Sequence, residues 1–294
     1  HQPVARDPIS RGYARCTATG SQPGLRPVVY RPAVKAVPSK EEQLAQRNAP
    51  EGRGVDPKEA PARPASTVVL LRDGPEGLET LLLKRNKALL FAGGYWVFPG
   101  GALEASDWEQ AGGDEERATR IAAAREAQEE SGLQPAPDDM VLISHWTTPV
   151  VEPKRFSTWI YAAPVAAHAQ VTIDGSEIHA ARWVAVAQAV REHDAGELGV
   201  LPPTYITLCD IARYASVAEL LRVERSRPPQ AVFPRFCHGD GEVFVMFRGD
   251  AGYESGDGNC AGARHRAVLE DKRWRYVYEG VDAEFPCLIG PDSP

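Results

Sequence analysis

The chain has no Cys-x-x-Cys pair, no His-Glu-x-x-His and no Walker-type glycine loop. Its five cysteines (Cys16, Cys209, Cys237, Cys260 and Cys287) are scattered and odd in number. That argues against a disulfide framework and fits reduced thiols, so the expected location is cytoplasmic. None of them falls in a zinc-ligand pattern. No apolar run approaches the roughly 20 residues a membrane span needs. No charged, hydrophobic and small-residue series at the start reads as a secretory signal. Positive charge is in deficit, with 33 Lys and Arg against 40 Asp and Glu and a net charge of −7. No membrane and no nucleic acid are therefore expected as partners.

What is present is a central stretch of ordinary globular composition between two unusual ends. Residues 1–64 are rich in Pro, Arg, Ala and Gly without sustained periodicity, and read as a disordered arm. The folded domain is expected over 65–226. Thr67-Val68-Val69-Leu70-Leu71 suits a buried strand, Asp73-Gly74-Pro75-Glu76-Gly77 a turn, and Leu78 to Arg85 the second strand of a hairpin. Tyr95-Trp96-Val97-Phe98 is a short strand that stops at Pro99-Gly100-Gly101. A helix is predicted from Asp114 to Ser131, with Asp114 at its start and Gly132 as its C-terminal cap. Its Ile121, Ala124 and Ala127 form the face toward a sheet. Strands are predicted at Val141–Thr147, Arg155–Ala162 and Ala180–Val186, and helices at Val186–Glu192 and Tyr205–Leu221 with a break near Ser216. Residues 227–294 read as a small β-rich extension with strands at Val243–Phe247 and Trp274–Tyr278. The intervening Gly256-Asp257-Gly258-Asn259-Cys260-Ala261-Gly262 reads as a loop, because its glycine spacing is one residue too long for a dinucleotide fingerprint.

One segment carries chemistry: Arg125-Glu126-Ala127-Gln128-Glu129-Glu130-Ser131-Gly132-Leu133. At about 100° per residue, Glu126, Glu129 and Glu130 share an arc of roughly 100° on the helix. Side chains at such spacings have Cβ atoms about 5–6 Å apart. Three like charges that close repel, and a solvated helix gains nothing from them. Mg²⁺ takes hard oxygen ligands, often one or two carboxylates together with substrate phosphates. The helix thus reads as one wall of a metal and phosphate site. The alternative is an acidic solvated face. Arg125 and Glu129, four residues apart, form a pair that fixes a carboxylate's direction.

Arg-Glu-Ala-x-Glu-Glu-x-Gly-Leu, preceded by Phe98-Pro99-Gly100-Gly101, resembles the Nudix box. The resemblance implies a Nudix-type α/β/α sandwich, an α/β fold with a mixed sheet. It also implies hydrolysis of a nucleoside diphosphate linked to another group, with Mg²⁺ (or Mn²⁺) as cofactor. The catalytic set would be Glu126, Glu129, Glu130 and Arg125. The metal set would be Glu126, Glu129, Glu130, the Gly101 carbonyl and a later acid, with Glu177 the best placed and Glu152 a weaker candidate. Glu177 also has a structural reading, as a turn residue paired with Arg182. The full box, Gly-x5-Glu-x7-Arg-Glu, would put a glutamate at position 117, where this chain has Arg117. About ten extra residues, roughly Ser106 to Glu115, form an inserted loop, and Glu116, Glu115 or Glu104 is expected to take the missing role.

Leu81-Leu82-Leu83-Lys84-Arg85-Asn86, then Gly94 and Phe98-Pro99-Gly100-Gly101, resembles the signature of coenzyme A diphosphatases, peroxisomal-type and bacterial. Leu83, Asn86 and Leu90 depart from it, the last replacing an arginine. Trp146-Thr147-Thr148-Pro149 and Arg155-Phe156 fit the same group. The substrate-binding set implied is Arg85, Gly94, Gly100 and Arg155, with a small-molecule nucleoside diphosphate of the coenzyme A type as partner and a homodimer as a possible assembly. Arg85 also has a structural reading, as a strand-edge arginine shielding apolar surface. Trp96, Trp159 and Trp183 read as core or wall residues. Pro149 keeps ADP-ribose as an alternative, alongside NADH, a nucleotide sugar, and a binding module without turnover.

Overall fold

A computed structural model describes residues 61–87, 92–148, 155–173, 175–239 and 242–290. The predicted arm up to residue 60, and Leu90, Pro149 and Glu152, lie outside the described residues.

The first hairpin is β1 (Arg63–Gly74) and β2 (Gly77–Arg85). β1 begins earlier than the sequence pattern indicates. Arg63 and Pro64 already pair in parallel with Phe156 and Ser157. Two short strands follow, β3 (Trp96–Val97) and β4 (Gly100–Ala102), then helices α1 (Ala105–Gln110) and α2 (Glu115–Ser131). β5 (Val141–Thr147), β6 (Phe156–Pro164) and β7 (Ile178–Ala185) complete most of the sheet. Helices α3 (Val186–Asp194), α4 (Pro202–Ile211) and α5 (Val217–Ser226) come next. Ser216 breaks the last helical stretch as the sequence indicates, because its hydroxyl caps α5 at the Glu219 amide, 3.2 Å away.

The main sheet has eight strands in the order β3-β2-β1-β6-β5-β8, with β4 beside β1 and β7 beside β2; β8 is Gln230–Val232. β1 with β6 and β5 with β8 are parallel, and the remaining pairs are antiparallel. Alternate residues go to opposite faces. Val68, Leu70, Leu81, Leu83 and Tyr161 meet α2, while Val69, Leu71, Leu82 and Ile160 share a core with residues of α3, α4 and α5. The result is a mixed sheet between helical layers, as the α/β/α reading expects.

Helix α2 lies close to the sheet because its inner face is alanine. Ala118, Ala122, Ala123 and Ala127 are fully buried. A larger residue at Ala123 would overpack this contact, at a cost of about 1–3 kcal/mol. Thr119 Oγ1 meets the buried Tyr161 hydroxyl at 2.7 Å, tying helix to sheet. Asp114 accepts from the Arg117 amide at 2.7 Å, and Gly132 closes the helix in the left-handed region at φ +72°.

The C-terminal part holds more strand than the sequence reading found. β9 (Arg235–Gly239), β10 (Glu242–Met246), β11 (Arg264–Glu270) and β12 (Arg273–Glu279) form an antiparallel sheet in the order β12-β11-β10-β9. β11, Arg-His-Arg-Ala-Val-Leu-Glu, escaped notice because its charged residues mask a buried strand. Its Arg266 is buried and forms two bonds of 2.6 and 2.7 Å with buried Asp250. The glycine-rich stretch at 256–262 is a loop, as expected. This sheet shares the core of the main domain through Phe247, Trp274 and Tyr276. Buried His193 of α3 joins the two parts. Its Nε2 accepts from the Trp274 amide at 2.8 Å, which leaves Nδ1–H to donate to the Leu198 carbonyl, also at 2.8 Å.

Candidate active site

The site is built where α2 passes the Pro99-Gly100-Gly101 turn. Gly100 and Gly101 pair with Thr67 and Ser66 of β1. Neither position has room for a side chain, for different reasons. A Cβ on Gly100 would lie 2.6 Å from the Ser66 carbonyl and 2.8 Å from Thr67 Cα, so the limit there is backbone. A Cβ on Gly101 would lie 2.3 Å from Glu126 Oε1, so the limit there is the carboxylate itself. The glycines therefore let the helix bring two acids against the loop. Glu126 sits on Gly101, and Glu130 Oε2 accepts from the Gly100 amide at 3.0 Å.

Burial of these acids has an electrostatic cost. Burial is the main cause that lifts the Glu130 carboxyl to about 8. The Gly100 amide and Arg85 oppose that rise, while the Glu126 and Glu177 charges add to it. Glu126 is also raised, first by burial, with Arg125 opposing and Glu129 and Asp107 adding. Glu129 differs, with a side chain 58 % exposed and held by Arg125 Nη1 at 3.2 Å. Two of the three predicted acids thus meet the glycine loop, and the third stands exposed beside Arg125.

Arg125 organises the group. Its Nε and Nη2 donate to Asp107 at 3.1 and 3.0 Å, Nη1 reaches Glu126 at 3.0 Å, and Nη2 also meets the Ala102 carbonyl at 3.2 Å. Burial alone would lower its pKa, but the hydrogen bonds and charges of Asp107 and Glu126 hold it above the usual arginine value. Asp107 is fully buried and also accepts from the Glu104 amide at 2.8 Å.

This overturns the expected replacement for the first acid of the box. Glu116 bonds to Arg120 instead, at 2.7 Å. Glu104 contributes its backbone N–H, and Glu115 opens α2. Asp107 holds the arginine. The signal was in the spacing: Gly101-x5-Asp107 is the first half of the box with aspartate for glutamate. The extra residues fall after it, and α1 with the turn that follows occupies the expected inserted loop.

Arg85, at the end of β2, lies between Glu130 (3.6 Å) and Glu177 (3.3 Å). Its buried Nε has no hydrogen-bond partner among the described residues. The pairing of Glu177 with Arg182 is not found, since Arg182 pairs with Glu192. Glu177 comes to the site through Arg85, and the Asn86 amide donates to the Glu177 carbonyl at 2.7 Å. Gly94 has a backbone role. At φ +84° it donates its N–H to the Arg85 carbonyl, while the Arg85 N–H donates to the Tyr95 carbonyl. Two residues against one, with the first a left-handed glycine, is a β-bulge. Arg155 donates to the Thr148 carbonyl at 3.3 Å and forms no ion pair with Glu126, Glu129 or Glu130. Trp159 is buried, while Trp96 and Trp183 are partly buried wall residues, with Arg182 over the first and Arg72 over the second.

The donor set fits a hard divalent ion in kind, being all carboxylate with no soft ligand, and its mutual repulsion is what such an ion relieves. Among the described residues, no three acidic, histidine or cysteine side chains converge closely enough to enclose an ion unaided. Substrate oxygens and water would have to complete a shell, as is common for Mg²⁺. Among the described residues no helix is long and apolar enough to cross a membrane.

A family model for the NUDIX domain matches residues 61–202. Among solved structures, the chain is similar to a NUDIX hydrolase from Alicyclobacillus acidocaldarius, at 24 % identity over 56 % of this chain and 97 % of that one, with a TM-score of 0.51. It is also similar to the NUDIX domain of Shewanella oneidensis NrtR, solved with ADP ribose, at 16 % identity over 53 % and 94 % of the two chains (TM-score 0.37). A third is a C. elegans Ap4A hydrolase, at 20 % identity over 55 % and 93 % (TM-score 0.33). Comparison with curated proteins gave no match. Residues 61–202 are a NUDIX domain. The Arg125–Glu130 helix, turned onto the glycine loop, lies within those residues, and the match supports a pyrophosphohydrolase.

Proposed function

We propose that the protein is a divalent-metal-dependent hydrolase of a nucleoside diphosphate derivative, with coenzyme A or an acyl-coenzyme A as substrate. The products would be 3′,5′-adenosine bisphosphate and a phosphopantetheine. The observation that carries the reading is the seating of partly buried Glu126 and buried Glu130 against Gly101 and Gly100, two carboxylates with raised pKa values facing each other's charge.

Glu126, Glu129 and Glu130 would hold the metal, with the Gly101 carbonyl as a further oxygen donor. A bound divalent ion supplies charge neutralisation of the diphosphate and a more acidic water. The protein's own groups do the positioning. Arg125 fixes the Glu126 and Glu129 carboxylates, and Asp107 fixes Arg125. The Arg85 guanidinium, partly exposed beside Glu130, is available to a phosphate oxygen. Glu129, the exposed member, is the carboxylate open to the water that attacks. Catalysis of this kind rests on positioning and charge stabilisation.

Support for the coenzyme A assignment is the run Leu81 to Arg85, Gly94 and Phe98 to Gly101, whose Arg85 lies beside Glu130. The test is a panel of coenzyme A, ADP-ribose, NADH and a nucleotide sugar with Mg²⁺ or Mn²⁺, with products identified by mass spectrometry. Cleavage of coenzyme A at the diphosphate is expected. Intact coenzyme A beside cleaved ADP-ribose would move the substrate assignment within the same chemistry. Tight binding without turnover in either metal would remove the enzyme reading.

A further inference from the structure

Tyr95 and Phe236 are the two large hydrophobic residues that stand out as exposed among the described residues. Phe236 lies on β9, an edge strand of the C-terminal sheet. Tyr95 lies beside the carboxylate site, and the reason is the bulge at Gly94.

Ordinary antiparallel pairing runs Leu83 with Val97 and Lys84 with Trp96. The next step sets Gly94 and Tyr95 together opposite Arg85, through Gly94 N–H to the Arg85 carbonyl (3.0 Å) and Arg85 N–H to the Tyr95 carbonyl (3.1 Å). Bulges of this type re-aim a side chain, and they recur next to active sites. Residues opposite each other in such a pair present their side chains on one face, with Cβ atoms about 4.5–5.5 Å apart. That face is the one carrying Leu83 and Val97, which pack in the α2 cluster, and Arg85 on it reaches Glu130.

The Tyr95 ring lies by Gly199, where an added Cβ would come within 3.6 and 3.8 Å of its Cδ1 and Cε1. The Trp96 amide anchors the same segment to the Gly199 carbonyl at 2.9 Å. The ring is 41 % exposed. It is a flat, partly exposed π-surface opposite Arg85 in the strand ladder, and the Arg85 guanidinium reaches Glu130. Aromatic side chains held this way stack nucleobases without regard to which base it is.

We propose that Tyr95 is the platform on which the nucleobase of the substrate stacks, with Arg85 beside it taking the phosphate next to the nucleoside. The inference rests on the reading of the site as a nucleoside diphosphate hydrolase and names where its base goes. Tyr95 is thereby a specificity residue that distinguishes nucleotides from base-free phosphates and discriminates weakly among bases.

The experiment measures equilibrium binding of AMP and of ribose 5-phosphate by calorimetry, in the full chain with EDTA present, for wild type, Tyr95→Phe and Tyr95→Ala. The same three proteins are assayed with ADP-ribose and coenzyme A in Mg²⁺. AMP is expected to bind wild type and Tyr95→Phe within twofold of each other and Tyr95→Ala about tenfold more weakly. Ribose 5-phosphate should bind all three alike. KM for whichever diphosphate is cleaved should rise about tenfold in Tyr95→Ala, with kcat within threefold. Equal AMP affinity in wild type and Tyr95→Ala, or no AMP binding to wild type at all, overturns the proposal, as does an equal loss of ribose 5-phosphate binding. A wild type that cleaves no diphosphate refutes the hydrolase reading instead, and the AMP series still decides whether Tyr95 carries a base. Matching circular dichroism spectra check that the variants fold as wild type does.

Discussion

Arg125 grips Asp107 through two parallel hydrogen bonds, and Asp107 is completely buried. The pair locks α1 to α2 and holds the arginine that steadies Glu126 and Glu129. Removing one partner of a buried ion pair costs about 3–5 kcal/mol, less where one partner is partly solvated as Arg125 is. Asp107→Ala is expected to lose about 2–3 kcal/mol and to lower Tm by roughly 5–10 °C. Asp107→Glu should recover activity more than Asp107→Asn does, because charge and a bidentate acceptor are both required. An unchanged melting curve for Asp107→Ala would show that Arg125 does not depend on it.

The two box glycines should fail differently. The three atoms nearest a Cβ on Gly101 all belong to the end of the Glu126 side chain. Gly101→Ala is expected to leave Tm within about 2 °C, since surface-like strain of this size is within about 0.5 kcal/mol. It should reduce kcat by about tenfold or more through the displaced carboxylate. A Cβ on Gly100 meets strand backbone, so Gly100→Ala is expected to destabilise the fold by about 1–3 kcal/mol. Thermal melts beside initial rates separate the two, and similar behaviour of both variants would refute the assignment.

Glu126→Gln, Glu129→Gln and Glu130→Gln should each lower the rate by about a hundredfold or more, several kcal/mol of transition-state stabilisation. Chelation of the metal should abolish turnover in the wild type, and re-addition of Mg²⁺ or Mn²⁺ should restore it. Near-wild-type turnover by any of the three would remove that residue from the metal set.

The C-terminal sheet should be acid-sensitive. Burial tends to raise the Asp250 carboxyl, but Arg266 and the Gly252 and His265 amides outweigh it and hold the pKa below the usual aspartate value. A depressed folded-state pKa contributes stability that is present above the unfolded value of 3.8 and lost as pH falls through the folded value. Wild-type stability should therefore drop below about pH 4, and Asp250→Asn, already about 3 kcal/mol less stable at pH 7, should lose this part of the acid dependence. Parallel pH–stability curves for the two proteins would contradict the account.

The acidic helix was readable in sequence because its message is local. Arg125, Glu126, Glu129, Glu130 and Gly132 sit at fixed helical spacings, and the Asp114 cap and Ser216 break also work through neighbours. The hairpin and most strands of the main sheet followed from apolar runs of strand length. What escaped depends on contacts distant in sequence. Asp107 is legible only by counting forward from Gly101, since the residues inserted after it move it away from Arg125. Glu177 reaches Arg85 only because β7 pairs with β2. β11 carries no apolar run that marks it as a strand, because the Asp250 partner that allows Arg266 inside lies 16 residues away.

The shared core also bears on where this molecule can be cut. The part matched as a NUDIX domain stops at residue 202, yet β8 adds a parallel strand beyond β5, α5 covers the same sheet, and the His193 Nε2 is satisfied by the Trp274 amide. An expression boundary drawn at 202 would strip that cover, wetting Val69, Leu71, Ile160 and Trp146 at once. Such a fragment should come out of the cell as aggregate, and the working unit for crystallisation or engineering runs through the last strand.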